Sequence, residues 1–230
     1  MKNFKKKILI ATGGTGGHVF PAYALLQFLK KKGHLVDIVT DKRGFRFLKN
    51  YTEINIKVIN SATIFKKNPI IILISVLKIF FAFLHSILHI YKSKPSLVFG
   101  MGGYSSFPVC IAAKILKIPF IIYENNLIVG KTNRYLLPYA KKMFVSYPEV
   151  EIGSVEHNSK IEVIGNIIRE NILKFKENKK FEKEIISILI LGGSQAASIF
   201  AKKLPYIFQK CSKENIKLKI FQQCLLNQQD

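Results

Sequence analysis

Lys7-Ile8-Leu9-Ile10-Ala11-Thr12-Gly13-Gly14-Thr15-Gly16-Gly17-His18 is the stretch whose reading decides the fold. A short apolar run enters a turn with four glycines in five positions, and a helical pattern from Val19 to Lys32 follows. A strand that passes through a glycine turn into a helix presents backbone N–H groups at the positive end of the helix dipole, an anion site. Glycines leave no side chain between that backbone and a ligand. His18 is the one titratable side chain in the turn. Pro21 falls in the first helical turn, where its missing N–H costs nothing, and Gly33 marks the end.

Working outward, the theme recurs. Leu35 to Thr40 alternates as a second strand ending at Asp41-Lys42-Arg43-Gly44, and Ile56 to Ile59 is a short third. Ser96 to Phe99 leads into a second glycine turn, Gly100-Met101-Gly102-Gly103-Tyr104-Ser105-Ser106, and a helix from Pro108 to Leu116. Strand Phe120 to Tyr123 delivers Glu124-Asn125-Asn126, and Gly130 to Leu137 reads as a helix. Strands at Lys142 to Ser146 and Ile161 to Ile164 follow, the latter ending in Gly165-Asn166-Ile167-Ile168-Arg169. Strands alternating with helices across short loops predict an α/β, doubly wound parallel sheet of Rossmann-like type. Ligands of such sheets bind at the carboxyl edge, where both glycine turns and Glu124-Asn125-Asn126 would lie. A charged segment over 171–184 then separates a first domain, 1–170, from a second beginning at 185–230. That second segment repeats strand, glycine turn (Gly192-Gly193-Ser194-Gln195) and helix, too little to bury its own apolar faces.

Pro69 to Lys92 is the most apolar stretch. Ser75, Lys78, Ala82, His85, His89 and Lys92, spaced by three and four, form a narrow stripe, and the rest of the circumference is apolar. Three readings compete: a membrane span, a buried crossover helix, and a helix that docks one apolar face into a membrane interface beside Lys66, Lys67, Lys92 and Lys94. A span is disfavoured by Lys78, at about 2.5–3.5 kcal/mol near a bilayer centre, and by the strands on either side. His85 and His89 lack a third ligand within reach and read as stripe residues, not as a metal site.

The 230 residues carry a net charge of +22, from 36 basic and 14 acidic side chains. Only Arg43, Arg46, Arg134 and Arg169 are arginines, and the lysines are scattered. That pattern argues against a nucleic-acid surface and suits an anionic membrane. Cys110, Cys211 and Cys224 form no CxxC pair, so neither a disulfide framework nor a zinc site is expected. The apolar run after the basic N-terminus is too short for a signal peptide.

Gly13–His18, Gly102-Gly103-Tyr104-Ser105-Ser106-Phe107-Pro108, Glu124-Asn125-Asn126, Gly165–Arg169 and Gly192–Gln195 occur in this order across residues 8 to 197. As a set they resemble the bacterial peptidoglycan N-acetylglucosaminyltransferase family. The resemblance implies a GT-B fold, two Rossmann-like domains facing across a cleft. It implies transfer of N-acetylglucosamine from UDP-N-acetylglucosamine to undecaprenyl-diphospho-N-acetylmuramoyl-pentapeptide, with inversion, without metal or other cofactor, at the cytoplasmic face of the cell membrane. By position, Thr15, Gly16, Gly17, Asn126, Arg169 and Ser194 match donor contacts, and His18 stands where a base is wanted. The second glycine turn would take the acceptor diphosphate, and Glu124 would orient groups or relay a proton.

This sequence departs from the family pattern at Tyr123-Glu124-Asn125-Asn126, where His-Glu-Gln-Asn is usual, at Ile167, where Pro is usual, and at Ala196, where Gly is usual. Most of the donor domain is missing, so one alternative is an inactive half that binds only membrane or acceptor. Another is a nucleotide-dependent oxidoreductase with Asp41 on a ribose. The turn lacks the third glycine of GxGxxG, which counts against it.

Overall fold

The computed structural model of the chain describes residues 5–61, 68–150, 155–174, 185–193, 197–214 and 216–225. Ser194, Lys66, Lys67, Ala196 and most of the expected charged linker lie outside these residues. The chain divides into two units, Met1–Lys174 and Phe175–Asp230.

In the first unit, β1 (Lys7–Ala11), β2 (Leu35–Thr40), β3 (Ile56–Val58), β4 (Leu97–Gly100), β5 (Phe120–Glu124), β6 (Lys142–Val145) and β7 (Ile161–Val163) form one sheet. Its order is β3-β2-β1-β4-β5-β6-β7, and every pairing is parallel. This is the doubly wound α/β sheet that the sequence predicts. Alternation along β1 explains why both faces are covered. Ile8 and Ile10 join a cluster with Val36, Ile38 and Phe99, while Leu9 and Ala11 join another with Val39, Val98 and Ile122. The winding reverses between β1 and β4, so the strands feeding the two glycine turns are neighbours.

The helices are α1 (Gly16–Lys31), α2 (Lys42–Leu48), α3 (Pro69–Ser93), α4 (Ser106–Ile115), α5 (Lys131–Leu136) and α6 (Glu170–Leu173), with a 3-10 turn at Val155–Lys160. Two expectations are corrected. First, α1 starts at Gly16, so Gly16, Gly17 and His18 belong to its opening turn and not to the loop. Second, the segment after β2 is helical. Asp41 Oδ1 accepts the Gly44 N–H at 2.8 Å and caps α2, and Gly44 packs so closely that a Cβ would stand 2.2 Å from Thr40 Oγ1. Gly44 serves packing there rather than a stop.

The buried-crossover reading of α3 is also corrected. Pro69 opens the helix and Asn68 caps it, accepting the Ile70 N–H at 2.9 Å. Only Ser75, Ala82, Ser86 and Ile90 are buried; this small-residue face packs against α4. Of the expected stripe, Lys78, His85 and Lys92 are exposed, so the stripe is split. Ile70, Leu73, Leu88 and Tyr91 face out, with Phe80 and Phe81 52% and 57% exposed. The helix is long and apolar enough to cross a membrane by composition alone. It nonetheless connects β3 to β4 of one sheet, a position that ties it to the unit's surface.

In the second unit, β8 (Ile186–Ile190) and β9 (Leu218–Gln222) pair in parallel around α7 (Ser198–Lys213). None of its described residues is buried.

Candidate functional site

The two glycine turns are built against each other. Met101 N–H donates to Ala11 O at 2.8 Å, and Ser105 Oγ donates to Thr12 O at 2.9 Å. A Cβ on Gly103 (φ +78°) would stand 2.5 Å from Gly13 O, and one on Gly102 (φ +84°) 2.7 Å from His18 Nδ1. A Cβ on Gly13 would fall 1.9 Å from Ser105 Oγ. These three glycines therefore make room for the neighbouring turn and the histidine. Gly17 differs: it is exposed, and its nearest neighbour would be Thr15 Oγ1 at 3.6 Å. Thr15 is the N-cap residue of α1, and its side chain makes no capping bond. Thr15 and Gly17 thus leave the helix N-terminus open to a ligand.

Behind the first turn stands Asp41, 4% exposed. Its carboxylate accepts from Gly14 N at 3.1 Å and from Gly44 N, and Arg43 Nε and Nη2 donate to Oδ2 at 3.0 and 2.8 Å. Burial opposes ionisation, but these donors outweigh it and hold the carboxyl below its usual range. Asp41 is occupied by the protein itself, which removes it as a ribose ligand and with it the support for the oxidoreductase reading.

His18, in the first turn of α1, lines a cavity of about 330 Å³ with Gly102, Tyr104, Asn126, Lys131 and Thr132. Burial pulls its imidazole below the ordinary value of 6.5; the Glu124 charge and a hydrogen bond to the Met101 backbone act the other way and are outweighed. The ring is therefore neutral at pH 7, the form a base requires.

Glu124, at the end of β5, is 1% exposed and saturated. Its Oε1 accepts from Asn126 N (3.1 Å) and Asn126 Nδ2 (2.7 Å), and its Oε2 from Gly130 N (2.8 Å) and Asn133 Nδ2 (3.0 Å). Four donors on two oxygens make it the anchor of the 124–133 loop, which supports orientation rather than proton relay. Asn125 Nδ2 donates to Gly17 O at 2.9 Å and ties this loop to α1.

Tyr123 extends the reach of β5. Its hydroxyl pairs with Ser146 Oγ at 2.7 Å, donates to Gly165 O at 3.3 Å and accepts from Ile167 N at 3.1 Å. It thereby fixes the segment that leads to Arg169. The Arg169 guanidinium lies over the Phe20 ring, 4.4 Å from its centroid, and lines a separate cavity with Tyr23, Gln27 and Tyr51. The structure thus brings His18 and Asn126 into one cavity, places Thr15, Gly16 and Gly17 at the adjoining helix end, and sets Arg169 further along α1. Asp41, expected on a ribose in one alternative, instead braces the first turn, and sequence reasoning missed Lys131, Thr132 and Asn133 as lining of the cavity. The run Gly130-Lys131-Thr132 before a helix was the available signal for the cavity wall. Among the described residues, no three His, Cys, Asp or Glu side chains converge as a metal site.

A neutral imidazole beside an open helix N-terminus can take a proton from a hydroxyl while backbone N–H groups stabilise an anionic leaving group. The model of the glycosyltransferase family 28 N-terminal domain matches residues 8–145. The UDP-N-acetylglucosamine–N-acetylmuramyl-(pentapeptide) pyrophosphoryl-undecaprenol N-acetylglucosamine transferase of Pelagibacter ubique is 36% identical over 95% of this chain and 60% of its own length. The protein of the same name from Rickettsia felis is 36% identical over 97% of this chain and 63% of its own. The crystal structure of Acinetobacter baumannii MurG superimposes with a TM-score of 0.69 at 29% identity, covering 98% of this chain and 60% of that one. A Listeria monocytogenes structure described as a UDP-N-acetylglucosamine 2-epimerase shares the fold, with a TM-score of 0.62 at 11% identity. The chain thus spans less than two thirds of the relatives it matches. With its parallel sheet, paired glycine turns and matched residues 8–145, the chain belongs to glycosyltransferase family 28.

Proposed function

We propose that this chain provides the acceptor side of an inverting transferase that moves N-acetylglucosamine from UDP-N-acetylglucosamine to undecaprenyl-diphospho-N-acetylmuramoyl-pentapeptide. His18 takes the proton of the acceptor hydroxyl as that oxygen attacks the anomeric carbon. The bond from that carbon to the diphosphate breaks and UDP departs. Thr15, Gly16 and Gly17 at the α1 N-terminus, with Asn126, Arg169 and Ser194, contact the donor, and the dipole of α1 offsets the charge of the departing diphosphate. Gly102, Gly103 and the cavity wall receive the acceptor diphosphate. The second unit begins the donor domain. The exposed apolar face of α3 rests on the anionic cytoplasmic face of the cell membrane, with Lys92 and Lys94 at its end.

The observation that carries this reading is His18 packed against Gly102 in one cavity with an Asn126 that Glu124 orients, where burial favours the neutral imidazole. The test is turnover by a version extended to the relatives' length, with UDP-N-acetylglucosamine and the lipid acceptor. His18→Ala is expected to lower kcat by about 10²–10⁴-fold, the usual contribution of a positioned base. In the parent, the acid limb of the pH–rate profile lies below 6.5, because the neutral base persists to lower pH. Near-normal turnover of His18→Ala removes the base from the mechanism. The 230-residue chain alone is expected to bind the lipid acceptor and to bind the UDP-sugar weakly.

A further inference from the structure

A second cavity, of about 350 Å³, opens beyond the carboxyl ends of β2 and β3, with Asp41 in its lining. Ile59 lines it, buried, together with Lys42, Arg43, Asn60, Ser61 and Lys78. Arg43 is neutralised by Asp41, which takes its Nε and Nη2 and leaves the remaining guanidinium N–H groups as donors. Lys42 and Lys78 have no acidic partner among the described residues, so the cavity holds two uncompensated cations. Lys78 comes from α3, between the exposed apolar side chains Leu77 and Phe81. Cations, hydroxyl and amide thus converge at the root of an apolar surface, the chemistry of an amphiphile with an anionic head.

We propose that this cavity binds the phosphate of an anionic membrane lipid, one headgroup per chain, while the lipid's tails lie along the apolar face of α3. Lys42, Lys78 and Arg43 hold the phosphate oxygens; Asn60 and Ser61 meet the glycerol end. The inference rests on the membrane-docking reading above and adds to it a stoichiometric site. The walls of the cavity also hold the glycine turns: Asp41 accepts from Gly14 N, and Ser61 Oγ donates to Tyr104 O at 3.0 Å. One hydrogen bond thus links the cavity wall to each turn.

The test uses the whole isotope-labelled chain and two probes. Short-chain phosphatidylglycerol below its micelle concentration is expected to give saturable amide shifts at residues 41–43, 60 and 61, absent in Lys42→Gln/Lys78→Gln. Inorganic phosphate producing the same shifts at the same concentration would overturn the lipid assignment. In a second arm, sedimentation with phosphatidylcholine vesicles containing phosphatidylglycerol compares this pair with Lys5→Gln/Lys49→Gln, an equal loss of charge away from the cavity. Each surface lysine contributes only a few-fold through the diffuse field, so the cavity pair is expected to weaken binding about tenfold more than the control. Equal losses overturn the site and leave docking intact. No vesicle binding by the parent, with the amide shifts retained, sinks membrane docking while the pocket stands.

Discussion

At the scale of single residues, the glycines divide by what each would touch. Gly102 and Gly103 have left-handed φ and lie against His18 and Gly13, so a side chain there breaks the meeting of the turns. Gly17 has room for a methyl group and sits in a helix, where alanine is favoured by about 0.5–1 kcal/mol. Gly17→Ala is therefore expected to leave the melting temperature unchanged or slightly raised while reducing transfer, because the methyl group occupies the ligand's approach. Gly102→Ala is expected to lower both. Thermal melts beside a transfer assay separate the two, and full activity in Gly17→Ala would remove that backbone from the donor site. That His18 and Asn126 lie at one edge of the sheet was legible in the sequence, because one follows β1 through the glycine turn and the other stands two residues beyond β5. The tasks of Asp41 and Glu124 were not, since each is defined by donors on other segments: Gly14 for one, Gly130 and Asn133 for the other.

Among the elements, α3 carries the most exposed apolar surface in the first unit. Phe80 and Phe81 project outward, whereas Phe83 packs against the core cluster beneath. Phe80→Asp/Phe81→Asp is expected to release the chain from anionic vesicles with its melting curve unchanged. Phe83→Asp is expected instead to lower the melting temperature, because it buries a charge beside Ala82 and Ile90. Unchanged sedimentation of the double variant would return that face to a role unrelated to membranes. The strands were readable because apolar runs such as Ile8–Ala11 and Phe120–Tyr123 are bounded by glycine or polar residues. Helix α2 escaped notice because Gly44 reads as a stop, whereas its missing side chain is what lets the helix approach Thr40. Which side of α3 turns inward was equally hidden, since small residues such as Ser75, Ala82 and Ser86 mark a packing face only once α4 is in place.

For the molecule as a whole, both buried clusters are made entirely of residues before Lys174. A fragment ending at Lys174 is therefore expected to unfold in one cooperative transition, with a midpoint within a few degrees of the parent's first unit. A broad, non-cooperative melt by circular dichroism would show that residues beyond 174 are needed for the core. The parallel topology has a further consequence. Because β3 ends at the carboxyl edge, α3 starts its return there, level with the glycine turns, and Ser61 already touches Tyr104. The start of the apolar helix and the glycine turns of the proposed site therefore share one rim of the sheet. For a substrate whose hydrocarbon tail never leaves the bilayer, such a rim turns encounter into a two-dimensional search. Under the proposed function, the rate is expected to follow the acceptor's mole fraction among the surrounding lipids and, as long as the protein stays vesicle-bound, to be unchanged when the vesicles are diluted in buffer.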